Sequence, residues 1–161
     1  MIFLTVGTQF PFDRFIRAVD NIFDQGLIDE EIFAQIGETS YKPRNFESVA
    51  SLEKKVFDEC FKKASSVMSH AGVGTITVAL KNHKPLLVMP RMKRYKEHVN
   101  DHQVATAKKF EELGHVLAAY DVDELPEKIK QLSTFTPRKR VSQVQLVAGR
   151  IAEFLNGVSI S

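Results

Sequence analysis

The sequence predicts an α/β fold, a mostly parallel sheet with helices on both faces. Strand-length apolar runs alternate with amphipathic helical stripes along the chain. A glycine turn over residues 70–75 passes directly from a strand into a helix, and no repeat or low-complexity segment breaks the alternation. The 161 residues have room for one domain with a real core, expected to span 1–161, whereas two domains would be cramped.

The first strand is Ile2-Phe3-Leu4-Thr5-Val6, followed by Gly7-Thr8-Gln9. Phe12, Phe15, Ile16, Val19, Ile22 and Phe23 then recur at helical spacing with charged residues between them, so an amphipathic helix is expected to end before Gly26. Glu31 to Gly37 reads as a second strand. Residues 41–51, with Pro43 and mixed polarity, read as an irregular connection holding a short strand around Phe46. Leu52, Val56, Phe57, Cys60, Phe61 and Ala64 form the next helical stripe, which leads into a strand ending at His70. Beyond the glycine turn come a helix, the strand Leu86-Leu87-Val88-Met89-Pro90, and a polar loop ending in Asn100-Asp101-His102-Gln103. The helix after it stops at Gly114, and His115 to Ala119 supplies a further strand. An acidic helix start at residues 121–126 runs to about Leu132. Val141, Val144, Val147, Ile151, Phe154 and Leu155 mark a last helix over about 140–156.

Composition excludes several classes. The 22 basic and 20 acidic residues leave a net charge of +2, which gives no polyelectrolyte signal for nucleic acid. A single cysteine, Cys60, rules out an internal disulfide framework and, between Phe57 and Phe61, reads as a small buried residue. No apolar run approaches the roughly 20 residues that cross a bilayer, and Met1 leads into a strand without a cationic leader, so a cytoplasmic protein is expected. Arg91, Lys93, Arg94 and Lys96, flanking Tyr95, and Arg138-Lys139-Arg140 read first as solvated runs; phosphate, an anionic membrane or a partner are the alternatives.

A strand-to-helix glycine turn aims unpaired backbone N–H groups at one spot, where the helix dipole also favours negative charge. The amides of Gly72, Val73, Gly74 and Thr75 therefore suit a phosphate. In open α/β sheets ligands lie off the carboxyl ends of the strands, so the loop after Pro90 is expected to share that ligand. Thr75-Ile76 follows the second glycine where a P-loop needs lysine, and a dinucleotide fingerprint would put three glycines after the first strand. No acidic phosphoacceptor cluster or flavin loop follows the first strand either.

The combined pattern S-H-A-G-V-G-T-I from Ser69, K-P-L-L-V-M-P-R from Lys84 and E-H-V-N-D-H-Q from Glu97 resembles the C-terminal, donor-binding domain of glycosyltransferase family 28, which includes MurG. It is most similar to the small stand-alone subunits of that family: the PssE-type subunits of exopolysaccharide and capsule synthesis, and the soluble catalytic subunit of the dolichol-linked N-acetylglucosaminyltransferase. Residues 3–8, followed by Phe12-Asp13, resemble the family's opening strand and loop, so the similarity covers nearly the whole chain. It implies a Rossmann-like sheet that is one half of a GT-B enzyme, the half that holds a nucleotide-sugar.

On this resemblance Gly7, Thr8, Gly72, Val73, Gly74 and Thr75 hold the donor diphosphate, and Asn100, Asp101, His102 and Gln103 hold the sugar. Gln103 is expected to pair sugar hydroxyls through both its donor and its acceptor group. Uridine diphosphate-sugar is the expected donor, although Val78 stands where many members carry a ribose-binding glutamate; Thr77 or a backbone group would substitute. His98 and His102 are four apart with Glu97 and Asp101 beside them, but no third ligand is placed by the spacing and a polar sugar-binding rim explains the same residues. No metal or cofactor is expected. His70 either touches phosphate and carries a proton, or is hydrogen-bonded to backbone beneath the turn. Half of a GT-B enzyme needs a second chain, so the expected partner is a membrane-associated, acceptor-binding subunit that presents a lipid-linked acceptor, contributes the general base, and brings this chain to the inner face of the membrane. The alternative is a nucleotide-sugar-binding helper that stimulates a partner complete in itself.

Overall fold

The computed structural model describes residues 1–139. Six parallel strands, β1 (Ile2–Thr5), β2 (Ile32–Gln35), β3 (Glu47–Val49), β4 (Ser66–His70), β5 (Leu86–Met89) and β6 (Leu117–Ala118), form one sheet in the order β3-β2-β1-β4-β5-β6. Helices α1 (Asp13–Asp24), α2 (Lys54–Lys63), α3 (Val73–Lys81), α4 (His102–Glu112) and α5 (Leu125–Leu132) connect them. This is the order of a Rossmann-like, doubly wound domain, and the direction of winding reverses between β1 and β4. The loops after those two strands, Gly7 and the glycine turn, therefore open at the switch point.

Continuous apolar strands follow from burial on both faces. Ile2, Leu4, Met68, Leu87 and Met89 point to one face, where Phe12, Phe15, Ile16 and Val19 of the α1 region and Ile129 and Leu132 of α5 cover them. Phe3, Val67, Leu86 and Val88 point to the other, against Phe61 of α2, Ile76 and Leu80 of α3 and Ala107 of α4. Phe3 packs edge-on to Phe57 and Phe61, with ring centroids 5.4 and 5.5 Å apart. Truncating such a ring to alanine costs about 3–5 kcal/mol.

Element order agrees with the sequence reading, including the short strand near Phe46, which becomes β3. Cys60 differs: it is only half-buried, because Phe61 takes the inward position and leaves Cys60 at the margin of the stripe. Residues 41–46 are held by a buried carboxylate. Asp20 accepts from Tyr41 Oη (2.6 Å), Arg44 N (2.9 Å), Asn45 N (3.0 Å) and Asn45 Nδ2 (2.9 Å). Its burial would raise the pKa, but these donors outweigh it and hold the carboxyl below its ordinary value. The expected last helix lies outside the described residues.

Candidate functional site at the switch point

Helix α3 begins at Val73 with Gly72 as its N-cap, so Gly74 and Thr75 belong to the first helical turn. The first helical bond runs from Ile76 N to Gly72 O at 3.1 Å. The amides of Gly72, Val73, Gly74 and Thr75 precede it, and among the described residues none of the four has an acceptor in the protein. They are not walled off: Val73 is 55% exposed, and a Cβ placed on Gly74 would meet nothing within 4 Å. Ala71 N, one residue before the cap, is already engaged by Gln103 Oε1 at 3.3 Å.

Close approach requires the glycine at 72, and a left-handed backbone requires the one at 7. A Cβ on Gly72 would lie 2.5 Å from His70 Nε2, and one on Gly7 would lie 3.4 Å from His70 Cε1. The imidazole thus fills the space between the two loops. Gly7 has φ +72°, and a Cβ on Gly37 (φ +56°) would lie 2.5 Å from Gly7 O, so the loop after β2 also packs here. Thr8 is exposed beyond Gly7.

His70 Nδ1 lies 3.5 Å from Thr5 O, which can only accept, so the bond requires a proton on Nδ1 and turns the Nε2 lone pair toward Gly72. Burial, followed by the charge of Arg91, lowers the pKa to about 4. At neutral pH the ring is an uncharged imidazole hydrogen-bonded to backbone beneath the turn.

The loop after β5 is tied down by its own polar groups. Gln103 Oε1 accepts from Arg91 N (3.0 Å) as well as Ala71 N. Two N–H donors on one atom identify it as the oxygen, so the acceptor expected to face a sugar is taken and Nε2 is the group left to offer. Asn100 Oδ1 accepts from His102 N at 3.0 Å and starts α4, while Asp101 Oδ1 accepts from Lys93 N at 2.9 Å. His102 is exposed at the first position of α4. His98 lies in the loop before α4, its ring 5.0 Å from Phe10 and its Nδ1 accepting from Asn100 N at 3.4 Å, so the two histidines do not share a helix face. Among the described residues no group of three or more His, Cys, Asp or Glu is placed to hold a metal.

The basic run divides. Lys93, Arg94 and Lys96 are exposed, but Arg91 is 3% exposed. Its Nη2 donates to Val6 O (2.6 Å) and Phe10 O (2.7 Å), and its guanidinium lies 5.0 Å from the centre of the Phe12 ring. Glu97, expected on the rim, is buried too: it accepts from Arg14 Nε (2.6 Å), Arg14 Nη2 (3.0 Å) and Met92 N (3.0 Å). Arg138 packs against Gly114 and donates its amide to Gly114 O at 2.9 Å, whereas Arg140 is outside the described residues. A hollow of about 170 Å³ lined by Ile2, Leu27, Ser66, Ile129 and Leu132 lies at the opposite, amino-terminal ends of the strands, away from all these groups.

The fold and these loops define a doubly wound α/β domain with a helix N-terminus left open at its switch point. The chain belongs to the family of the glycosyltransferase family 28 C-terminal domain, which residues 1–148 match. It is 33% identical over 125 residues to the human UDP-N-acetylglucosamine transferase subunit ALG13, covering 71% of this chain and 10% of that protein. To the ALG13 of Eremothecium gossypii it is 44% identical over 63 residues, 38% of this chain and 29% of the relative. The chain thus spans under a third of either relative's length. In fold it is similar to the solution structure of ALG13 (TM-score 0.63, 20% identity, 93% of each chain). The crystal structure of Acinetobacter baumannii MurG is also similar (TM-score 0.56, 20% identity, 82% of this chain and 40% of that one). Among the described residues no helix is long and apolar enough to cross a membrane.

Proposed function

We propose that this chain is the donor-binding subunit of an inverting, metal-independent glycosyltransferase. It holds a nucleoside-diphosphate-sugar, uridine diphosphate being the expected nucleotide, for transfer of a hexose-type sugar to a lipid-linked acceptor in polysaccharide or glycan synthesis. One observation carries the reading: four consecutive amides, Gly72 to Thr75, stand open and without a partner among the described residues at the switch point of a family 28 domain. In transfer, an acceptor hydroxyl oxygen forms a bond to the anomeric carbon as the bond from that carbon to the phosphate oxygen breaks. The diphosphate leaves with the bonding electrons, and the hydroxyl proton passes to a base on the partner. Amides and the helix dipole stabilise the charge that grows on the leaving diphosphate, which is the task a metal performs elsewhere. Gly7 and Thr8 face it from β1, and Gln103 Nε2, His102, Asn100 and Asp101 form the sugar side. His70 shapes the cradle as a neutral ring.

Because relatives are named as subunits, the partner is read as a membrane-associated, acceptor-binding chain that brings this one to the inner membrane face. Two measurements test the reading. Titration calorimetry with uridine, guanosine and thymidine diphosphates is expected to show binding, tightest for uridine. Gly74→Asp places a carboxylate in the first turn, where the dipole favours it and space is open, so the fold persists while the diphosphate is repelled. Co-expressed with its partner subunit, Gly74→Asp is expected to abolish transfer with the complex intact. Unchanged transfer would assign the chain to the helper class instead.

A further inference from the structure

The four open amides raise the question of what balances a diphosphate's charge, since the exposed cations Lys93, Arg94 and Lys96 lie in the loop after β5 and not in the turn. Arg91 is the group in question. It is 3% exposed, its Nε is buried with no hydrogen-bond partner, and its Nη2 bonds only to carbonyl oxygens. Among the described residues no carboxylate lies within ion-pair distance of it. The nearby Glu97 carboxylate is consumed by Arg14. Burial pulls the guanidinium pKa down to about 10, and Glu97 offsets this only in part, from beyond ion-pair distance. A buried cation so incompletely compensated is costly, typically by several kcal/mol, and a fold optimised for stability alone would pair it or replace it.

Its position shows what such a charge acts on. On one side its guanidinium holds Val6 O, the carbonyl immediately before Gly7. On the other its backbone amide shares Gln103 Oε1 with Ala71 N, the amide immediately before Gly72. Arg91 is therefore one residue removed from Gly7 and from Gly72, whose amide is the first of the open four. The His70 ring lies between those glycines and feels the charge: Arg91 is one of the causes that lower its pKa, with burial the larger and His98 the smaller.

We propose that Arg91 supplies the fixed positive charge that holds a diphosphate at the glycine turn, acting through the two loops it joins and not by touching the ligand. The inference rests on the donor-site reading above and names its electrostatic partner. Arg91 is a positioning residue, and because its charge is buried, added salt screens it less than it screens a surface lysine.

The test uses the full chain with inorganic pyrophosphate and uridine diphosphate as probes and uridine as the uncharged control. Arg91→Gln removes the charge but keeps a donor for the loop carbonyls; Arg91→Lys keeps the charge. The expected result is about a tenfold or greater loss of pyrophosphate and uridine diphosphate affinity in Arg91→Gln, no comparable loss for uridine, and most of the affinity retained in Arg91→Lys. A structural role would instead weaken all three ligands together, and that result overturns the proposal. So would wild-type protein that binds no pyrophosphate. Without ligand, the His70 ring signals in an NMR pH titration should move toward the ordinary imidazole range in Arg91→Gln and stay low in Arg91→Lys; an unmoved His70 in Arg91→Gln also overturns it. Should Arg91→Gln not fold, Arg91→Lys decides alone, a tenfold loss of pyrophosphate affinity there counting against the charge. Arg91-dependent binding of pyrophosphate, with uridine diphosphate no tighter, would uphold this inference and sink the nucleotide-sugar reading instead.

Discussion

Gly72→Ala is the sharpest perturbation of the switch point. The backbone at residue 72 has φ −83° and ψ 134°, which alanine adopts freely, so the cost comes from the added methyl and, to a smaller extent, from alanine's poorer standing at an N-cap, which does not depend on His70. That methyl would sit 2.5 Å from His70 Nε2 and 2.9 Å from His70 Cδ2, and the ring must move by about an ångström to restore contact distance. Its room to move is limited by Gly7 on one side and the Thr5 carbonyl on the other. Overpacking of this kind costs about 1–3 kcal/mol, which in a domain of this size lowers Tm by roughly 3–10 °C. Gly74→Ala is the internal control: two residues on, the same methyl meets open space, and helix propensity makes the change neutral or stabilising by up to about 1 kcal/mol. Urea denaturation of both variants, and of each in a His70→Ala background, measures the effect. A coupling of at least about 1 kcal/mol is expected between positions 70 and 72, and none between 70 and 74. If Gly72→Ala costs as much without the imidazole as with it, the close-approach argument is wrong.

Three further outcomes are expected. Glu97→Ala leaves Arg14 and the Met92 amide without their carboxylate and should destabilise by about 3 kcal/mol, much of it recovered in the Arg14→Met/Glu97→Met double variant, as read by chemical denaturation. Acid should weaken the fold in two windows. His70 has a folded pKa of about 4 against 6.5 unfolded, so the unfolded chain takes up this proton first; stability is full above pH 6.5 and falls toward pH 4, by at most about 3 kcal/mol, a loss that His70→Asn removes. Asp20, also lowered, contributes stability that is present above its ordinary 3.8 and lost as pH falls through the folded value, so Asp20→Asn flattens the stability curve between 3.8 and that lower value and leaves the His70 window unchanged. Finally, Gln103→Glu keeps an oxygen for the Ala71 and Arg91 amides while replacing the free donor. It should stay near wild-type stability with weakened nucleotide-sugar binding, whereas Gln103→Ala should lose both.

Local pattern carried the layered fold. Leu86 to Met89 is apolar at every position because both faces are covered, and the α1 stripe is spaced at the period of a helix, so each announces its own burial. The turn at Gly72 was legible for the same reason, since a glycine pair between a strand and a helix has few local explanations. What stayed hidden is pairing across the chain. Arg14 and Glu97 are 83 residues apart and Arg91 and Val6 are 85 apart, and a basic run such as 91–96 carries no sign of which member turns inward. The same applies to Gln103, whose place next to a sugar-binding motif suggested a ligand contact for both ends of its amide, although the oxygen brackets two backbone N–H groups. His70 and Gly72 show the opposite case: their closeness in sequence hid a steric demand that only three-dimensional distances reveal. A glutamine or arginine that satisfies backbone at a loop junction leaves no periodic trace.

The amides of Gly72, Val73, Gly74 and Thr75 can be watched directly by recording backbone ¹⁵N–¹H spectra of the chain while uridine diphosphate is added. The largest shifts are expected on those four signals and on Gly7 and Thr8, and they should vanish in Gly74→Asp. Unshifted signals at the turn, or shifts centred on Ile2, Leu27 and Ser66 at the far end of the sheet, would contradict a donor site at the glycine turn.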